Sequence, residues 1–198
     1  AALGHGIYAT FMAKPMQGQA GSAMHIHQSI VDAKTGKNIF SNPDGSPSKE
    51  FFSFIGGMQT YVPKTLVMMA PYVNSYRRLT PGMAAPVNNA WGNDNRTTAF
   101  RVPVSDAAAR RVENRLPSSD ANPYLALAAS LAAGWLGMTQ GLQPTPPSDG
   151  TANEGSIELP RGLLEGLSLL ENEPALREVF GDEFVGMYAG VKRGEFET

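Results

Sequence analysis

The 21 glycines and 15 prolines of this 198-residue chain cut it into short pieces, and they constrain its fold more than any other feature. Few stretches run long enough to form an uninterrupted element. Lys49 to Met69 does: it follows Ser48, which can cap a helix, and Phe51, Phe54, Ile55, Met58, Tyr61 and Val62 recur at helical spacing. Gly56, Gly57 and Pro63 lie inside it and predict a kink or a break. A second long stretch is an Ala/Leu helix running to about Thr139, capped by Asp120 or Asn122. Short strands are expected at Ile7 to Met12, Met24 to Val31, Thr97 to Val102 and Arg111 to Leu116. Lys14 to Ser22 and Gln143 to Gly155 read as loops, and Asp32 to Gly36 and Ser41 to Gly45 as turns. Pro71 to Asn95 is irregular and too long to be a casual connection. Amphipathic helices are expected from about Pro160, Glu173 and Asp182, and there is no internal repeat.

Charge narrows the function. Sixteen Lys plus Arg stand against 18 Asp plus Glu, a balance that argues against nucleic acid or a membrane surface as partner. No apolar run approaches the ~18 residues of a membrane span. The absence of cysteine excludes disulfides, thiolate zinc sites and cysteine nucleophiles, and fits a soluble protein of the cytoplasm.

Two segments could carry chemistry. In a strand, His25, His27 and Ser29 share one face, because residues two apart point the same way. Two such histidines can share a metal, or one can bind metal while the other meets an anion; they can equally be a hydrogen-bonded structural pair. Arg111, Glu113 and Arg115 share a face by the same rule, as a solvated ion-pair ladder or as a site for anions and a cation. Arg77, Arg78, Arg96, Arg101, Arg110, Arg111 and Arg115 crowd one region, and the planar guanidinium fork suits carboxylate and phosphate oxygens. No Walker-type loop, kinase signature or Gly-x-Ser-x-Gly elbow is present. These pieces fit a divalent-metal nucleotide site in which catalysis is positioning and charge neutralisation of a phosphoryl group.

Lys14-Pro15 followed by Gly21-Ser22-Ala23-Met24-His25-Ile26-His27-Gln28-Ser29 resembles the ATP-binding signature of the glutamine synthetase family. Asn74-Ser75-Tyr76-Arg77-Arg78-Leu79, Asn95-Arg96 with Arg101-Val102-Pro103, Arg111 to Pro117 and Ala121-Asn122-Pro123-Tyr124-Leu125 resemble further family motifs in the same order. The resemblance implies an α+β fold, with antiparallel strands of an open, partial barrel flanked by helices. It further implies that residues 1–198 are the C-terminal portion of the catalytic domain, cut at both ends, without the family's N-terminal β-grasp domain. On that reading the 198-residue chain alone lacks ligase activity, and the full-length protein is a ring-forming homo-oligomer.

The implied reaction is ATP-dependent joining of the glutamate γ-carboxylate to an amine or ammonia through a γ-glutamyl phosphate. The resemblance assigns His25 and Glu113 to Mg²⁺ or Mn²⁺, and His27, Ser29, Arg101 and Arg111 to the ATP side. Arg96 is assigned to catalysis, touching both the transferring phosphoryl group and substrate, while Gly21, Arg78 and Arg115 would bind glutamate. Ammonia-using members carry Gly-Tyr-Glu-Ala-Pro where this chain has Gly82-Met83-Ala84-Ala85-Pro86, so Ala84 replaces a carboxylate that binds ammonium. Ala20 replaces a common Asn, and Ala108 a common Lys. The pattern looks like the γ-glutamylpolyamine (γ-glutamylputrescine) synthetase branch. A glutamine synthetase proper and a non-catalytic nucleotide- and metal-binding homologue are the alternatives.

Overall fold

A computed structural model describes residues 1–82, 85–152 and 158–197. Its helices are α1 (Lys49–Met69), α2 (Val73–Tyr76), α3 (Pro123–Gln140), α4 (Leu163–Glu171), α5 (Pro174–Phe180) and α6 (Asp182–Glu197). Its strands are β1 (Ile26–Gln28), β2 (Trp91–Asn93), β3 (Phe100–Val102) and β4 (Val112–Asn114), and a 3-10 turn at Ala2–His5 precedes them. The fold is α+β, a four-strand open sheet backed by helices.

The Ser48 hydroxyl accepts from the Phe51 amide at 3.1 Å and starts α1 as expected. The helix then runs unbroken through Gly56, Gly57 and Pro63, against the expected kink or break. Pro63 has no N–H, which leaves the Gln59 carbonyl without its helical donor. The Asn89 side-chain amide supplies a substitute, donating to that carbonyl at 2.8 Å, while the Gln59 side chain donates to Asn89 O at 3.0 Å. The glycine pair serves packing. A Cβ on Gly57 would fall 2.2 Å from Ala133 O and 2.6 Å from Gly137 Cα, and one on Gly137 would fall 2.2 Å from Ser53 O. The backbones of α1 and α3 therefore touch where no side chain fits. Asn122 caps α3, its side chain accepting from the amides of Tyr124 and Leu125. Phe40, Phe54, Met58, Leu66, Leu116 and Leu167 are fully buried in the core these helices share.

The sheet order is β1-β4-β3-β2. The β1–β4 and β4–β3 pairs are antiparallel, as expected, whereas β2 joins β3 in parallel. β1, β3 and β4 are each shorter than their sequence patterns, because a ladder forms only where two partners overlap. Ile7 to Met12, expected as a strand, lies in none among the described residues. Trp91–Asn93 is a strand within the segment that read as irregular; the Trp91 indole N–H donates to Thr145 O at 2.6 Å and holds it in place. No described helix is long and apolar enough to cross a membrane.

The α1–α3 contact yields a paired prediction. Gly57→Ala should lower the stability of the intact protein by about 1–3 kcal/mol, since the new methyl meets backbone that cannot turn aside. Gly186 in α6 has nothing within 4 Å of its would-be Cβ. Gly186→Ala should therefore be neutral or stabilising by about 0.5–1 kcal/mol. Thermal unfolding of both variants checks this, and equal midpoints would refute the close crossing.

Candidate active site

The central strand β4 turns Val112, Asn114 and Leu116 toward the helices and Arg111, Glu113 and Arg115 the other way. The helix side is fastened by one serine. Asn114 Nδ2 donates to Ser130 Oγ of α3 at 3.0 Å, and the Ser130 hydroxyl donates to Gln28 of β1. On the other face, register does the assembly: Glu113 pairs across the ladder with His27 of β1 and with Arg101 of β3.

Glu113 is 3% exposed, and cations and imidazoles surround it. Its Oε1 lies 2.9 Å from His25 Nδ1, 3.3 Å from Arg115 Nη1 and 3.9 Å from His27 Nε2, and Oε2 accepts from Arg101 Nη1 at 2.8 Å. Burial pushes the Glu113 pKa up, but the Arg101 hydrogen bond and the charges of Arg115 and His25 outweigh it and hold the carboxyl below its ordinary range. Burial and the Arg115 charge hold His25 below the ordinary imidazole value against the pull of Glu113, which favours the neutral ring that a metal needs as ligand.

Beside this cluster lies a cavity of about 290 Å³ lined by Ala20, Gly21, His25, Arg78, Ala85 and Arg115. Arg78, 3% exposed, donates from Nη2 to Leu116 O and from Nε to Ser118 Oγ at 3.4 Å. Burial pushes its pKa down to about 10, so it remains a cation at neutral pH. Gly21 is required here by space alone, since a Cβ would lie 2.7 Å from Arg78 Cγ and 2.4 Å from Ala13 O. Arg115 is 8% exposed, and its Nε has no hydrogen-bond partner among the described residues.

The structure thus brings together His25, His27, Arg101, Glu113 and Arg115, with Gly21 and Arg78 at the adjoining cavity. Arg111 joins them, donating from Nε to His27 Nδ1 at 3.3 Å. Ser29 and Arg96 are exposed, past the end of β1 and on the turn between β2 and β3, and neither side chain makes a hydrogen bond or ion pair among the described residues. Arg110 leaves the arginine cluster. It clamps the loop before α1, donating to Gly45 O at 2.9 Å and to Ser46 O at 3.1 Å. Asp94 joins the site without having been singled out in the sequence: it is the one described non-glycine residue with a left-handed backbone, φ 47°, and it ion-pairs with Arg101. The signal was an Asp in an Asn-rich turn, where Asp and Asn tolerate positive φ. Met83 and Ala84 lie outside the described residues.

The donor set fits a hard divalent ion in part. Adjacent ligands of an octahedral ion with ~2.1 Å bonds lie ~3.0 Å apart. His25 Nδ1 and Glu113 Oε1, at 2.9 Å, match that bite. Among the described residues no group of three His, Cys, Asp or Glu side chains forms a metal cluster. The other positions would be filled by water, phosphate or substrate oxygens.

The lowered Glu113 pKa gives a pH prediction. A depressed folded-state pKa contributes stability that is present above the ordinary carboxylate value, 4.5, and is lost as pH falls through the folded value. Glu113→Gln should cost on the order of 2 kcal/mol at neutral pH, because two guanidiniums lose their counter-charge. That gap between wild type and variant should close as the solution is acidified. A gap that stays constant down to acid denaturation would contradict the ion-pair account.

The family model described as glutamine synthetase, catalytic domain, matches residues 1–198. Glutamine synthetase of Thermus thermophilus is 37% identical over 207 residues, covering 99% of this chain and 46% of that protein. A glutamate–isopropylamine ligase of a Pseudomonas species is 39% identical, covering 98% and 43%, and γ-glutamylputrescine synthetase PuuA of Escherichia coli K12 is 38% identical, covering 96% and 40%. The solved structure of GmaS without ligand shares the fold with a TM-score of 0.86 at 34% identity, covering 99% of this chain and 46% of that one. The chain therefore spans less than half the length of these relatives. Matched along all 198 residues by that catalytic-domain model, the chain belongs to the glutamine synthetase family.

Proposed function

We propose that the intact protein is an ATP-dependent glutamate–amine ligase, and that its acceptor is an alkylamine or polyamine such as putrescine. The observation that carries the ligase reading is the convergence of Glu113, His25, Arg101 and Arg115 beside a cavity lined by Gly21 and Arg78. A γ-carboxylate oxygen of glutamate attacks the terminal phosphorus of ATP, and the bond to the leaving ADP oxygen breaks. The amine nitrogen then attacks the γ-carbonyl carbon, loses one proton, and expels inorganic phosphate as the C–N bond forms.

The roles follow from charge. Arg78 and Arg115, both cationic and buried, hold the glutamate carboxylates at the cavity wall. Arg101 holds phosphoryl oxygens with His27, Ser29 and Arg111 on the nucleotide side. Arg96, free of other partners among the described residues, reaches the transferring group; an arginine so placed can contribute ~10³–10⁵ in rate. His25 and Glu113 would hold Mg²⁺ or Mn²⁺, which when bound neutralises phosphate charge. The same reading has the intact protein working in the cytoplasm as a ring of like subunits.

The choice of amine rests on Ala84. Alanine offers no carboxylate to pair with ammonium, and its methyl side chain is compatible with an alkylamine. The relatives include both glutamine synthetases and amine ligases, so glutamine synthesis from ammonia is the second reading. A non-catalytic homologue is the third, and the retained ion cluster around Glu113 speaks against it.

ADP release by the intact protein, with glutamate and either putrescine, isopropylamine or ammonia, separates the three. The amine reading expects the highest kcat/KM with an alkylamine. Ala84→Glu should shift the ratio toward ammonia, since a charge within ~4 Å of an ammonium contributes a few kcal/mol at an effective dielectric near 20 before desolvation. A wild type that prefers ammonia, or a ratio unmoved in the variant, overturns the alkylamine assignment. Absence of turnover with every acceptor leaves the binding-only reading.

A further inference from the structure

Arg101 has five N–H donors, and other described residues engage three of them. Nη1 donates to Glu113 Oε2 at 2.8 Å, Nε donates to Asp94 Oδ1 at 3.1 Å, and Nη2 donates to the same Asp94 oxygen. The guanidinium is thus gripped at opposite edges by two carboxylates. Among the described residues, one N–H on each of Nη1 and Nη2 is left without a partner.

Asp94 reaches Arg101 only through an unusual backbone. Its φ of 47° lies in the left-handed region, and its amide donates to Val102 O at 2.8 Å, one residue beyond Arg101 on β3. Holding a residue with a Cβ there costs on the order of 1 kcal/mol. The Asp94 side chain is 54% exposed, and ion pairs at such positions contribute little stability. Strain spent on an exposed ion pair is better explained by what the pair does to Arg101 than by any gain in stability.

We propose that Asp94 is a positioning residue, whose carboxylate holds the Arg101 guanidinium against Glu113 and aims its two remaining N–H groups at phosphoryl oxygens. This rests on the phosphate-binding role given to Arg101 above. With Asp94 removed, Arg101 keeps a single tether and regains rotamer freedom that nucleotide binding must then freeze.

Two substitutions separate the carboxylate from the turn. Glycine adopts positive φ without strain, so Asp94→Gly keeps the backbone and removes only the side chain. Asn tolerates the same backbone and keeps an acceptor oxygen, so Asp94→Asn should restore the fork. In the intact protein, Asp94→Gly should lower kcat/KM for ATP about tenfold or more, the equivalent of a lost charged hydrogen bond. KM for glutamate should stay within about twofold, since its partners Arg78 and Arg115 are untouched. The unfolding midpoint should not fall, and Asp94→Asn should recover most of the lost activity. Wild-type kinetics in Asp94→Gly, or equal losses in both variants, would overturn the proposal. A crystal structure of Asp94→Gly gives a readout that does not need turnover. If the wild type proves inactive, the ligase reading fails, and the positioning claim stands or falls on whether the Arg101 guanidinium loses its orientation in that structure. A single ordered guanidinium with its wild-type orientation on Glu113 overturns it.

Discussion

A carboxylate sealed from water must be paired, and Glu113 on the central strand is the group around which this sheet face is arranged. Removing such a group from solvent costs several kcal/mol unless partners restore what hydration supplied. Arg101, Arg115 and His25 supply it from three directions, and each comes from a different part of the chain. Glu113 therefore couples strand pairing to the layout of the candidate site. A one-residue slip of β1 or β3 against β4 would turn Glu113's cross-strand neighbours to the other face.

The face that meets the helices makes such a slip difficult. The strands are three residues long and could not hold their register through ladder bonds alone. Asn114 and Gln28 both engage Ser130, so one hydroxyl on α3 ties two strands to one helix. That helix is itself seated on α1 by contact between Gly57 and Gly137. Positional precision at the ionic cluster thus originates in glycine contacts on the far side of the sheet. The cavity has the same logic at smaller scale, because Gly21 yields the space that the Arg78 side chain fills.

Much of this was legible in the sequence, and the reasons for the rest are physical. Ser48 and Asn122 announced the two long helices because capping is a local property. The period of two placed Glu113 with Arg115, and His25 with His27, on shared faces before any partner was known. What could not be read were effects that arise only across distance. Pro63 did not break α1, because the Asn89 side chain, far along the chain, satisfies the freed Gln59 carbonyl. Trp91–Asn93 became a strand because β3 lies alongside it, in a parallel pairing that its Pro-, Asn- and Gly-rich surroundings concealed. Ile7 to Met12 has strand composition but no ladder partner among the described residues. Within the arginine cluster, spacing could not separate Arg110, spent on loop carbonyls, from Arg101 and Arg115, which face Glu113.

On the proposed reading, His25 and Glu113 hold a divalent ion at the nucleotide. An anomalous-difference map of crystals of the intact protein grown with Mn²⁺ and ADP, recorded at the manganese edge, tests it most directly. The expected result is a peak within ~2.0–2.6 Å of both Glu113 Oε1 and a His25 ring nitrogen. A peak bound elsewhere with that pair still in direct contact, or no peak at all, would contradict it.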